Sequence, residues 1–195
     1  MIRSVWFVML TAVAVLLTAG CSNYTKIPLE PQVIGDAYRV TPDTAWSRFD
    51  EVDHTLWTID GELLEAVHLY AGVADEEALM ANVKDEASEV RDMPVFRKGM
   101  RAPDVADLVA ATFQKTYQRE ALVENLRPAV FGNLQGFRFE VAYKAANGLR
   151  LRADCLGAVT ESGKLHLIVY EAAEEHYYEA RHPRVEAIFN SVQVI

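Results

Sequence analysis

The sequence predicts an α+β domain, an antiparallel β-sheet meander flanked by helices. Three observations predict it. Apolar residues recur at helical spacing through Pro103–Tyr117, occupy every second position from Phe137 to Tyr143, and return to helical spacing after Tyr177. Turn signals (Asp60-Gly61, Asn147-Gly148, Ser162-Gly163) separate the β-like runs. The 195 residues, 51% of them hydrophobic and 24% charged, suit one domain with a core of its own.

The chain opens on a leader. Met1–Ser4 carry Arg3 and no acid, Val5–Leu17 (VWFVMLTAVAVLL) is uncharged, and the small residues Thr18-Ala19-Gly20 lead to Cys21. A positive start, a short apolar stretch and small residues before a cut are the parts of a secretory signal. The alternative is a membrane span, but the uncharged run Ser4–Gly20 has only 17 residues, the lower end of the roughly 17–25 that a helix needs. We therefore expect residues 1–20 to be a signal, 21–34 a tether and 35–195 the domain. The stretch 22–34 contains Pro28 and Pro31 and no period, and fully extended it would reach about 40 Å at roughly 3.3 Å per residue.

Within the domain, Ala37-Tyr38-Arg39-Val40 reads as a short strand closed by Pro42. Thr55–Ile59 and Leu64–Val73 read as a hairpin around Asp60-Gly61, a dipeptide suited to two positive-φ turn positions. In Asp75–Val90 the residues Leu79, Met80, Val83, Ala87 and Val90 keep helical spacing, while the surrounding acids would equally solvate a loop. Pro103–Tyr117 is the clearest helix: proline suits the first turn, Asp104 and Asp107 suit its positive end, and Val105, Leu108, Val109, Thr112 and Phe113 share a face. Phe137, Phe139, Val141 and Tyr143 then point one way from a strand. Leu149–Thr160 and Lys164–Glu171 complete the meander, the last apolar on both faces and so central. Cys155 shares parity with Leu151 and Ala153 and is expected in the core. A closing helix, interrupted at Pro183, carries Val185, Ile188, Phe189 and Val192.

Leu17-Thr18-Ala19-Gly20-Cys21 resembles the lipobox of bacterial lipoproteins, with Thr18 where that pattern usually has a large aliphatic and Leu17 one place earlier. The resemblance implies diacylglycerol on Cys21, cleavage before it, and acylation (palmitate-type) of the new amino group. It also implies a periplasm-facing protein, and Ser22 implies the outer membrane over the inner one. The domain resembles the PsbP-like family in its element order: Val40-Thr41-Pro42 with Trp46, a long helix, a meander ending in Leu165-His166-Leu167-Ile168-Val169-Tyr170, and a closing helix reaching Ile188-Phe189-Asn190-Ser191. Trp57-Thr58-Ile59-Asp60-Gly61 and Leu69-Tyr70-Ala71-Gly72 are similar to segments of uncharacterised proteobacterial lipoproteins. PsbP-like membership implies binding of other proteins or metal ions rather than enzymatic activity.

Charge and motifs narrow the function further. A formal charge of −9, which becomes −10 when the leader removes Arg3, argues against nucleic acid and leaves lipid, not a basic patch, to hold the chain on a membrane. No GxSxG, HExxH, GxxxxGK[ST] or GxGxxG occurs, so no catalytic residue, cofactor or resident metal is expected. Asp50, Asp53 and His54 form a cluster with ligand chemistry for a divalent ion, or else a solvated loop. His166 would meet His68 if their strands pair, His176 and His182 are poorly spaced for one helical face, and Glu174-Glu175 suits a hydrated helix start. Arg91, Arg97, Lys98 and Arg101 around Met93, Phe96 and Met100 either neutralise the preceding acids or form an interaction surface. The expectation is a lipid-anchored envelope protein with a non-enzymatic binding or structural role, its partners the membrane and envelope proteins. The alternative is a small-ligand or divalent-metal module with its site between sheet and helices; a hydrolase depending on His166 or Asp60 is a third reading.

Overall fold

The computed structural model describes residues 24–80, 93–145 and 147–195. The leader, Cys21, most of the acidic stretch 75–90 and Arg91 lie outside the described residues.

The long hydrophobic strands assemble an eight-stranded antiparallel sheet. Its strands are β1 (Thr25–Lys26), β4 (Ser47–Asp50), β5 (Thr55–Thr58), β6 (Glu65–Val73), β7 (Ala121–Phe131), β8 (Leu134–Lys144), β9 (Arg150–Val159) and β10 (Leu165–Ala173), in the spatial order β1-β4-β5-β6-β10-β9-β8-β7. A second, three-stranded sheet joins β2 (Gln32–Ile34), β3 (Tyr38–Val40) and β11 (Gln193–Val194), with β3 in the middle. Strand β10 is buried along its whole length and lies between β6 and β9. This is the position that an apolar pattern on both faces requires.

Helix α1 (Ala102–Tyr117) carries the chain from β6 in mid-sheet to the far edge at β7, from which the meander β7–β10 returns. It starts where expected. Pro103 sits in the first turn, and the Arg101 backbone N–H donates to Asp104 Oδ2 at 2.8 Å. It stops at Gln118, whose φ of 53° is left-handed. Its buried face packs on Phe137, Phe139, Val141, Tyr143, Cys155, Leu165, Leu167 and Val169. The opposite face of the sheet, with Trp57, Val67, Leu69, Leu156, Ile168 and Tyr170, is covered by Tyr38, Val40 and helix α2 (Glu179–Asn190) through Val185, Ile188 and Phe189. Cys155 is fully buried.

Four expectations change. The stretch 22–34 is no tether from Tyr24 onward. Thr25 and Lys26 pair with Arg48 and Ser47, Ile27 and Ile34 are core residues, and Gln32–Ile34 pairs with β3. Prolines at 28 and 31 are accommodated between two very short strands. The hairpin β5–β6 forms, but through a loop over 59–64 in which Gly61 and not Asp60 has positive φ. The Glu65 carboxylate closes this loop by accepting the backbone N–H groups of Ile59 and Asp60. Pro183 lies inside α2; the interruption falls earlier, at Glu175 and His176 (φ 73°), in the turn between β10 and α2. Strand β7 follows α1 where the sequence showed no alternation, because an edge strand exposes most of its side chains.

Candidate functional site

Among the described residues, two clusters of titratable side chains are the candidates, one on each face of the large sheet.

On the α2 face, Arg138 and Asp154 point out of the β8–β9 pair, at the parity opposite to Phe139 and Cys155. Arg138 Nε donates to Asp154 Oδ1 at 2.9 Å, and its Nη2 reaches both Asp154 Oδ2 and Glu186. His182 Nε2 lies 2.9 Å from Asp154 Oδ2. Ligand atoms of Asp154, His182 and Glu186 all fall within 4.8 Å of one another, the density a metal centre needs. The Arg138 guanidinium already supplies the positive charge there, so the cluster is an ion-pair network that ties α2 to the sheet.

On the α1 face, the end of the helix, the β4–β5 loop and the hairpin loop enclose a cavity of about 390 Å³. Glu51, Asp53, His54, Leu56, Glu62, Leu63, His68, Met80, Thr116, Tyr117 and Glu171 line it. The hairpin register sets His68 opposite Leu56, and the β6–β10 register sets it opposite Val169, two residues from Glu171 on the same face.

A chain of polar contacts crosses the floor. His54 Nδ1 lies 2.7 Å from Asp53 Oδ1, and His54 Nε2 lies 2.9 Å from His68 Nδ1. His68 Nε2 is buried without a hydrogen-bond partner, 3.5 Å from Glu171 Oε1. Tyr143 donates to Glu171 Oε2 at 2.6 Å, and Tyr117 donates to Oε1 at 3.1 Å. The His54 ring stacks on Tyr70 with centroids 4.7 Å apart.

Burial lowers the pKa of His54 below the ordinary imidazole range, against the opposing hydrogen bond to Asp53. For Glu171, burial alone would raise the carboxyl, but the His68 imidazole and the Tyr143 and Tyr117 hydroxyls outweigh it and hold its pKa below the usual range. Glu171 is therefore a buried, ionised carboxylate at neutral pH. Among the described residues, no lysine or arginine lines the cavity.

The candidates named from sequence distribute as follows. Asp53 and His54 stand together at the cavity, but Asp50 turns away to accept from Thr55 Oγ1 and Arg48 Nε. His68 and His166 lie on paired strands, yet on opposite faces. His166 faces Tyr38 and Phe131, its Nδ1 accepting the Gly72 N–H at 2.9 Å, and burial lowers its pKa. Asp60 binds Arg181 at 2.5 Å on the surface, apart from His166. Glu174 and Glu175 pair with Arg150. Arg97 pairs with Glu76 and the Lys98 N–H donates to Asp75, while Phe96 is fully buried beneath them. Sequence reasoning passed over Glu171 and the two tyrosines; the available signal was an acid ending an otherwise apolar central strand.

No family profile and no curated protein matches the chain. Among solved structures, the solution structure of the cyanobacterial PsbP protein CyanoP from Synechocystis sp. PCC 6803 aligns over 91% of this chain and 95% of its own, at 13% identity and a TM-score of 0.51. A crystal structure of LpqN from Mycobacterium tuberculosis, a protein involved in cell envelope biogenesis, aligns over 89% and 92% at 9% identity and a TM-score of 0.36, too low to carry an argument. The chain has the PsbP-like fold. These likenesses assign no activity.

Proposed function

We propose that the protein is a lipid-anchored, non-enzymatic binding module of the bacterial cell envelope. Cys21 carries the anchor, the domain faces the periplasm from the outer membrane, and the cavity between α1 and the sheet holds a small ligand. The supporting observation is the cavity's lining. Among the described residues, four carboxylates (Glu51, Asp53, Glu62, Glu171) and no lysine or arginine stand beside Leu56, Leu63 and Met80. Such a lining favours a small organic cation with an apolar portion, its charge on the acids and its carbon on the aliphatic wall.

Calorimetry with hexylammonium against hexanoate tests this reading. Heat of binding from hexylammonium alone, reduced by Glu62→Gln, is expected; equal or no response to both contradicts it. The anchor is tested by fractionation and mass measurement. Cys21→Ala is expected to release the protein from membranes and to lose the diacylglycerol mass; retention at unchanged mass contradicts the lipoprotein reading.

A divalent ion is the second reading, and one observation favours it. His54 and His68 turn nitrogens toward each other, and each has a carboxylate at its other nitrogen, the arrangement that orients imidazole ligands. Zinc binding lost in both His54→Ala and His68→Ala would select it.

A further inference from the structure

The two most exposed large hydrophobic side chains among the described residues are Val52, 88% exposed, and Leu63, 85% exposed. Leu63 lines the cavity, while Val52, on the β4–β5 loop that frames it, lines a neighbouring depression that shares Asp53 with the cavity. Single exposed aliphatics are ordinary on a surface, but two at the tips of the loops framing one opening are a feature of that opening.

The N-terminal chain arrives at this opening too. The Tyr24 hydroxyl donates to Glu62 Oε2 at 3.2 Å, and the Tyr24 ring lies 5.4 Å from that of Phe49. Beyond Tyr24 the chain is committed to the domain: Ile27 is buried and its N–H donates to the Trp46 carbonyl at 2.8 Å. Only two residues, Ser22 and Asn23, separate Cys21 from Tyr24, three steps that span at most about 11 Å of extended chain. A lipid on Cys21 thus ties Tyr24, and through its hydroxyl the Glu62 side of the opening, close to the bilayer surface.

We propose that the cavity mouth is the membrane-facing surface of the protein, with Val52 and Leu63 entering the bilayer interface and the cavity opening onto lipid headgroups. This rests on the reading of Cys21 as the lipid-bearing residue. The charge of the mouth selects the lipid. Glu51, Asp53 and Glu62 are repelled by anionic headgroups and attracted to ammonium groups, so the surface fits zwitterionic lipid with a primary ammonium headgroup. The aliphatic tips enter the interface while the neighbouring carboxylates stay at headgroup level.

The test uses the lipidated full-length protein in vesicles of phosphatidylethanolamine and phosphatidylcholine. An environment-sensitive fluorophore is placed by Val52→Cys, by Leu63→Cys, or by Val130→Cys on β7 at the opposite edge of the sheet. Cys155 is fully buried and does not compete for label. The proposal expects blue-shifted emission and quenching by nitroxide-bearing lipid at 52 and 63, with neither at 130, and a smaller shift when phosphatidylglycerol replaces phosphatidylethanolamine. Water-like emission at 52 and 63 in protein whose mass proves diacylglycerol on Cys21 overturns this orientation and leaves the anchor standing. A mature chain without that mass overturns the anchor, and the orientation with it.

Discussion

His54 Nε2 and His68 Nδ1 face each other at 2.9 Å on the floor of the cavity. The direction of the bond between them follows from the neighbours. The Asp53 carboxylate only accepts, so His54 Nδ1 carries a proton, its Nε2 accepts, and His68 Nδ1 donates. A doubly protonated His54 would break this arrangement, in keeping with the burial that lowers its pKa. Two imidazoles, two carboxylates and two tyrosines thereby form one connected group under an opening lined by acids.

Titration of the histidines checks this directly. The ring signals of His54 and His166 are expected to titrate below the ordinary imidazole value of 6.5, since burial lowers both. Below that value the unfolded chain takes up protons that the folded one resists, so these two groups cost stability as pH falls from neutral. Nuclear magnetic resonance of the imidazole protons measures it, and an apparent pKa at or above 6.5 for either ring contradicts the assignment.

Glu171→Gln tests the buried carboxylate. Loss of the charge that Tyr143, Tyr117 and His68 surround is expected to cost about 1–3 kcal/mol by chemical denaturation at neutral pH. Folding depresses the Glu171 pKa, so its contribution is complete above the unfolded carboxylate range and disappears as pH falls through the depressed value. Glu65, whose pKa burial raises, acts with the opposite sign in both proteins and cancels from the comparison. The gap between wild type and variant should therefore narrow in acid; a constant gap contradicts the account.

Arg138→Met leaves the carboxylate of Asp154, 1% exposed, without its main counter-ion. A loss of about 3–5 kcal/mol is expected, the cost of an uncompensated buried charge. Glu186→Gln, at the solvent side of the same network, should cost under about 1 kcal/mol. Similar small losses in both variants would show that the network does not hold α2 to the sheet.

Gly136 has no room for a side chain. A Cβ there would lie 2.3 Å from the Gly157 carbonyl oxygen on β9. Gly136→Ala must push β8 away from β9, at about 1–3 kcal/mol, and thermal denaturation unchanged by the substitution would contradict this close approach.

The parts of the fold legible in the sequence are those whose packing writes a period. Helix α1 buries one stripe, and β10, covered on both faces, reads as a continuous apolar run bounded by Gly163. Strand β7 writes none: Glu124 through Pro128 are all exposed at the sheet edge. Strands β1 and β2 are held by backbone pairing across a proline-containing stretch, which composition presents as a tether. The site was legible in part. Asp53 and His54 are neighbours in sequence, but their grouping with Asp50 fails because Asp50 bonds Thr55 and Arg48. His68 and Glu171 join through strand register, and Tyr117 through the docking of the α1 end, relationships that local spacing does not carry.

The central claim, a cation-binding cavity between α1 and the sheet, is tested most directly by following backbone amide signals of the detergent-solubilised full protein during titration with hexylammonium. The account predicts saturable shifts concentrated at Glu51–Leu56, Glu62–Leu63 and Thr116–Tyr117, absent with hexanoate. Shifts scattered over the surface, or an equal response to hexanoate, would contradict it.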